Sequence, residues 1–134
     1  MNLMKNAYLF LLSVVLLSVL LIGCLGAGHP TITSITVSPA TATAASNPQG
    51  TVGFTARGNF TNNQSRDVGV NDGLSWSSSN VALVSINSLG SATCKLPGTV
   101  TITASAPANL EFTVGTGVNN TSATVTGNAS LTCT

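Results

Sequence analysis

The amino-acid sequence predicts an all-β protein, an antiparallel β-sandwich of about seven strands preceded by an N-terminal signal helix. Three observations carry this reading. From Ile32 onward, apolar residues recur at every second position in short runs, the period of a strand with one buried face. Gly, Pro and Asn punctuate those runs, and Thr, Val, Ile, Ser and Ala dominate within them, which is the vocabulary of short strands and tight turns. Beyond the first 23 residues, no window has apolar residues at the 3.6-residue period of a helix.

The front end reads as an export signal. Met1–Asn6 carries a single positive charge, Lys5, and Ala7–Ile22 is apolar apart from Ser13 and Ser18. Sixteen helical residues rise about 24 Å, short of the roughly 30 Å of a bilayer's hydrocarbon core, which favours a cleaved signal over a permanent span. Leu21-Ile22-Gly23-Cys24 at the end of that run resembles the lipobox of bacterial lipoprotein precursors. The resemblance implies cleavage before Cys24 and acylation of its thiol, several acyl chains together giving stable membrane attachment. Residues 1–23 are therefore the expected lipoprotein signal peptide, and residues 24–31 the acylated cysteine and a short tether. Two glycines and a proline in Leu25–Pro30 disfavour regular structure there, and about eight flexible residues span roughly 15 Å. His29, the only histidine, lies in this tether and reads as a solvated spacer.

Residues 32–134 form the expected domain, large enough for the core of a small sandwich. Ile35 and Val37 alternate with polar residues until Pro39 stops the run. Val52, Phe54 and Ala56 alternate between Gly50 and Gly58. Val68 and Val70 follow, then Asn71-Asp72-Gly73, a turn signal of the hairpin kind. Leu74 and Trp76 alternate next. Either Leu83 with Ser85 or Val84 with Ile86 continues the pattern, then Val100 with Ile102 after Pro97-Gly98. Ala123, Val125 and Leu131 mark the end.

Four stretches, Ser34–Ala44 (SITVSPATATA), Phe54–Val68 (FTARGNFTNNQSRDV), Leu74–Ile86 (LSWSSSNVALVSI) and Pro97–Ala106 (PGTVTITASA), resemble in order the bacterial Ig-like domain of group 2. That family carries an opening I-x-V-x-P strand, a W-S-S-S-N segment, a V-A-x-V-like strand and a late G-T-x-T-I-T-A strand. The resemblance covers about Ile32 to Ala106, with Ser122–Leu131 as a last strand, and implies an Ig-like sandwich used in adhesion or surface display. Two features depart from the pattern: Pro107–Asn120 is longer than the usual final connection, and cysteines stand at 94 and 133.

The resemblance places Trp76, the only tryptophan, in the core, and Phe54 shares a face with Val52; the rival role for Trp76 is a sugar-stacking platform. Phe60 and Phe112 remain as candidate ligand contacts. With Cys24 acylated, Cys94 and Cys133 are an even pair in an exported domain, where disulfides persist. An Ig-like sandwich would bring them together across neighbouring strands; two buried free thiols are the alternative. Asp67, Asp72 and Glu111 are far apart, a thin supply for calcium, and no metal site or cofactor is expected. No serine, histidine and carboxylate set and no paired carboxylates stand at a recognisable spacing, so no catalytic residue is assigned. The five N-x-[ST] triplets read as products of a composition rich in Asn, Ser and Thr.

After Cys24, Arg57, Arg66 and Lys95 balance Asp67, Asp72 and Glu111. That neutrality offers no electrostatic grip on nucleic acid. The expected function is a membrane-anchored, non-catalytic interaction, structural or adhesion module of the cell envelope. Its partners are the lipid membrane, through Cys24, and an envelope protein or polysaccharide. Leu25 after the cysteine points to the outer membrane where a cell has two. The alternative is a carbohydrate- or calcium-binding surface lipoprotein using Phe60, Phe112 and the 107–120 loop.

Overall fold

The structure, a computed structural model, describes residues 29–110 and 120–134. The predicted signal helix, Cys24 and Phe112 lie outside these residues. Ten strands make up the described chain: β1 (Ile32–Ser38), β2 (Thr41–Ala44), β3 (Thr51–Gly53), β4 (Thr55–Phe60), β5 (Ser65–Val68), β6 (Ser75–Ser78), β7 (Val84–Ile86), β8 (Ser91–Cys94), β9 (Gly98–Pro107) and β10 (Thr124–Cys133).

They form a β-sandwich-like arrangement. One layer joins two small sheets, β1-β4-β5 and β3-β8-β7, because β3 and β4 are halves of one run interrupted at Phe54. There the Phe54 N–H donates to the Gly90 carbonyl (2.8 Å), so the backbone bonds to the turn before β8 and stays in line. The other layer is the sheet β2-β10-β9-β6, whose two central strands pair without interruption from Thr124 opposite Pro107 to Cys133 opposite Gly98.

Alternation decides which side chains meet between the layers. Val100, Ile102, Ala104 and Ala106 of β9 are buried, as are Ala129, Leu131 and Cys133 of β10. Against them pack Ile35 and Val37 of β1, Ala56 of β4, Val68 of β5, Val84 of β7 and Ala92 and Cys94 of β8. Full burial of a residue such as Ile102 or Leu131 contributes roughly 1.5–3 kcal/mol. Ile32 and Ile35 are both buried although their spacing is odd, because a register shift between Ile32 and Ser34 turns the strand by one residue. Of the two registers open in the sequence around position 84, β7 adopts the one that turns Val84 inward.

Three expectations are corrected. The sheets are not wholly antiparallel: after Pro39 the chain leaves β1's layer and crosses to the other, where β2 runs parallel to β10. The strand count exceeds about seven, since the first run divides between the layers at Pro39-Ala40, the second divides at Phe54, and β8 forms around Ala92 and Cys94. Asn71-Asp72-Gly73 closes no hairpin. Val70–Asp72 is a single 3-10 turn ended by Gly73 at φ 79°, and it carries the chain from β5 to β6 in the opposite layer.

Candidate functional site

Trp76 sits on β6, an edge strand of the four-stranded sheet, with its side chain on the inward side beside the buried Leu74. Its ring lies 6.5 Å from that of Phe54, tilted by 44°, a favourable aromatic separation. Phe54 itself is buried. The turn Asn87–Gly90 folds over the indole. Asn87 Oδ1 holds that turn by accepting from the N–H groups of Leu89 (3.0 Å) and Ser91 (2.9 Å). Gly90 has φ 80°, and a Cβ there would come 3.1 Å from Trp76 Cε2 and collide with the Phe54 carbonyl. Only glycine meets both demands.

Trp76 is nevertheless half-buried rather than sealed, and packs against the core from its margin. Its remaining surface opens on a shallow cleft of about 180 Å³, whose walls include Phe54, Val68, Val70, Leu74 and Leu89. Val70 (49% exposed) and Leu89 (79%) leave the rim apolar. The cleft exists because β5 and the turn before β8 both flank the β3–β4 run without meeting.

Phe60, the first candidate contact, is half-buried at the end of β4 and packed against the core. The Arg66 guanidinium stands over its ring, 5.5 Å from the centroid, so that face is occupied by a cation of the same chain. Arg66 in turn donates twice to Asp72, at 2.7 Å and 3.1 Å. These bonds, together with one from the Gly69 N–H, hold the Asp72 carboxyl below the ordinary carboxylate range against the opposing effect of burial. Arg66 is correspondingly raised, first by its hydrogen bonds to Asp72. Asp72 thus closes the turn between the layers. Phe112, the second candidate contact, and most of the 107–120 loop lie outside the described residues. At the loop's ends, Asn120 Nδ2 donates to the Asn109 carbonyl (2.6 Å), and Asn120 Oδ1 accepts from the Ser122 N–H (3.0 Å).

Cys94 and Cys133 form a disulfide with their Cα atoms 5.7 Å apart. The bond does not join neighbours within a sheet: β8 belongs to one layer and β10 to the other, so it staples the layers through the core. Both cysteines are buried, and the Cys94 N–H donates to the Gly50 carbonyl (3.0 Å).

Reading strands singly missed a feature of the outer face of β2-β10-β9-β6. Its outward side chains are Thr41 and Thr43 on β2, Ser75 and Ser77 on β6, Thr99, Thr101, Thr103 and Ser105 on β9, and Thr124, Thr126, Asn128, Ser130 and Thr132 on β10. No charged residue lies on these strands. The signal is present in the sequence as T-x-T-x-T spacing, but only strand order shows that the rows adjoin. Among the described residues, no three His, Cys, Asp or Glu side chains converge as a metal site would require.

No family model and no curated protein matches the chain.

Proposed function

We propose that this chain is a membrane-anchored envelope lipoprotein carrying one Ig-like domain of the bacterial group 2 kind, a non-catalytic module for interaction, adhesion or structural display. The observation that carries the reading is the division of the first strand. Ile35-Thr36-Val37-Ser38-Pro39 pairs with β4 in one layer, and the chain beyond Pro39 pairs with β10 in the other. An I-x-V-x-P opening that changes layers at its proline, followed by a W-S-S-S-N strand at a sheet edge and a long G-T-V-T-I-T-A strand at its centre, accords with an Ig-like sandwich. Fold alone does not decide function; the lipobox-like Leu21–Cys24 adds the location.

The position of the first strand supports one orientation of the domain. Ile32 pairs with Phe60, and its N–H donates to the Ala108 carbonyl (2.8 Å), so the chain enters at the end that carries the 107–120 loop. A tether of about eight residues, roughly 15 Å long, holds that end near the membrane and turns the Cys94–Cys133 end outward. Leu25 favours the outer membrane of a two-membrane cell. The partner is then an envelope protein or polysaccharide within short reach, not a distant surface.

Replacing Cys24 with Ser tests the anchor. The wild type is expected in the detergent phase on phase partitioning, with an acylated Cys24 at its mature N-terminus by mass spectrometry; Cys24→Ser is expected to remain an unacylated, uncut precursor. An unmodified residue other than Cys24 at the wild-type N-terminus overturns the reading.

A further inference from the structure

We infer that the outer face of the β2-β10-β9-β6 sheet binds an uncharged, extended polysaccharide, an inference that rests on the reading of the chain as an envelope interaction module. The centre of the face is a set of facing pairs on β9 and β10: Thr99 with Thr132, Thr101 with Ser130, and Thr103 with Asn128. Sheet geometry sets their side chains about 4.8 Å apart across the strands and about 6.7 Å apart along them. Polar groups therefore recur on a two-dimensional grid along strands of ten residues, about 33 Å in extent, enough for several sugar units.

The grid is organised before any ligand arrives. Thr99 and Thr132 share a hydroxyl–hydroxyl hydrogen bond (3.1 Å), and the Thr103 hydroxyl donates to Asn128 Oδ1 (2.9 Å). β-Branching restricts χ1 of each threonine, so little side-chain freedom remains to be lost on binding. Between these two braced rungs lie Thr101 and Ser130, whose side chains make no hydrogen bond among the described residues. Their hydroxyls can each donate and accept.

Charge selects the ligand class. β2, β6, β9 and β10 contain no Asp, Glu, Lys or Arg, whereas Arg57, Arg66 and Asp67 lie on β4 and β5 of the other layer. An ionic polymer would meet no counter-charge here and would lose hydration without return. A protein partner would seek an aromatic or apolar centre, and this face has none. A neutral polysaccharide matches it: sugar hydroxyls donate and accept as serine and threonine do, and sugar C–H groups lie against threonine methyls. Individual contacts exchange with water and are weak, so retention depends on many at once, on an insoluble polymer or on a membrane displaying many copies.

The test is co-sedimentation of the full chain in detergent with swollen cellulose and colloidal chitin as neutral probes and with an insoluble acidic polysaccharide as the charged one. Binding to at least one neutral probe is expected, together with at least a tenfold fall in the bound fraction for Thr101→Glu and no change for Thr36→Glu, an exposed position on β1. Should Thr101→Glu melt early, Thr101→Val removes the hydroxyl at nearly constant shape and is expected to weaken binding as well. No binding to either neutral probe, equal binding by the folded Thr101 variants, or binding to the acidic polymer alone overturns the inference. So does self-association that Thr101→Glu abolishes, which would give the face to a second copy. Each of these failures leaves acylation at Cys24 unaffected, so the anchored-module reading stands or falls separately.

Discussion

Removing the Cys94–Cys133 bridge should lower the melting temperature by about 8–32 °C. Both cysteines are buried, at 0% and 3% exposure, so the suitable variant is Cys94→Ala with Cys133→Ala. A serine at either position would bury a hydroxyl without a partner and add about 1–3 kcal/mol of unrelated cost. The bridge joins residues 39 apart, and closing a loop of that length restricts the unfolded chain by about 4 kcal/mol at 25 °C on the chain-entropy account. Single disulfides typically contribute about 2–4 kcal/mol, against a total of about 5–15 kcal/mol for a domain. At about 4–8 °C per kcal/mol for a small domain, the stated shift follows. The denaturant slope should also rise, because an uncross-linked unfolded chain exposes more surface. The assay is a thermal melt of the full chain in detergent, oxidised, reduced and doubly substituted, preceded by thiol titration of denatured, unreduced protein. Two titratable thiols, or a shift below about 3 °C on complete reduction, would refute the reasoning.

Trp76→Ala should destabilise the fold by about 3 kcal/mol, the lower end of the range for a buried aromatic, since one side of the indole faces the cleft; an unchanged melt would show that the contacts with Phe54 and Gly90 contribute nothing. Asp72→Asn should cost only about 0.5–1 kcal/mol at neutral pH, because Arg66 is half exposed and solvent screens the pair. Its clearer effect is on pH dependence. The folded-state pKa of Asp72 is lowered, chiefly by the Arg66 hydrogen bonds, so its contribution is present above the unfolded-state value and lost as pH falls through the folded-state one. Urea midpoints between neutral and acid pH should therefore fall less steeply for Asp72→Asn than for wild type, and parallel curves would count against the ion pair.

What the sequence made legible followed the size of the inward residues. Ile35, Val37, Phe54, Ile102 and Leu131 stand out from polar neighbours, and each is buried where period-2 reading places it. β2 and β8 escaped because Thr-Ala-Thr-Ala and Ser-Ala-Thr-Cys alternate between polar and small residues, a contrast too slight to mark a face. Gly127 escaped for a related reason: a Cβ there would strike the Ile35 carbonyl, so β10 needs an absent side chain at the point where β1 passes over it. Val70 was misleading, since its spacing from Val68 continues β5, yet the Arg66–Asp72 pair and the Gly69 N–H draw those residues into a turn. At the candidate site, Phe60 looked available because sequence does not show Arg66 stacked over it. The hydroxyl face was written in four separate segments and becomes one surface only through strand order.

The placement of the few charges bears on both readings of the surface. A sheet rich in Thr and Val and poor in charge risks pairing edge to edge with another copy, and charged side chains are a common defence. β5 has no strand beyond it in its sheet. The Ser65 carbonyl on that strand accepts from Arg57 (3.1 Å), and the Asp67 carbonyl accepts from Arg66 (3.0 Å). Arg57 also pairs with Asp67 across β4 and β5, and Arg66 with Asp72. Four of the charged side chains are thereby committed to one exposed edge and the turn beside it. They cover backbone acceptors that would otherwise template a further strand, and in doing so they neutralise one another. These four side chains therefore serve the exposed edge and the turn beside it, on the layer opposite the hydroxyl face proposed for polysaccharide.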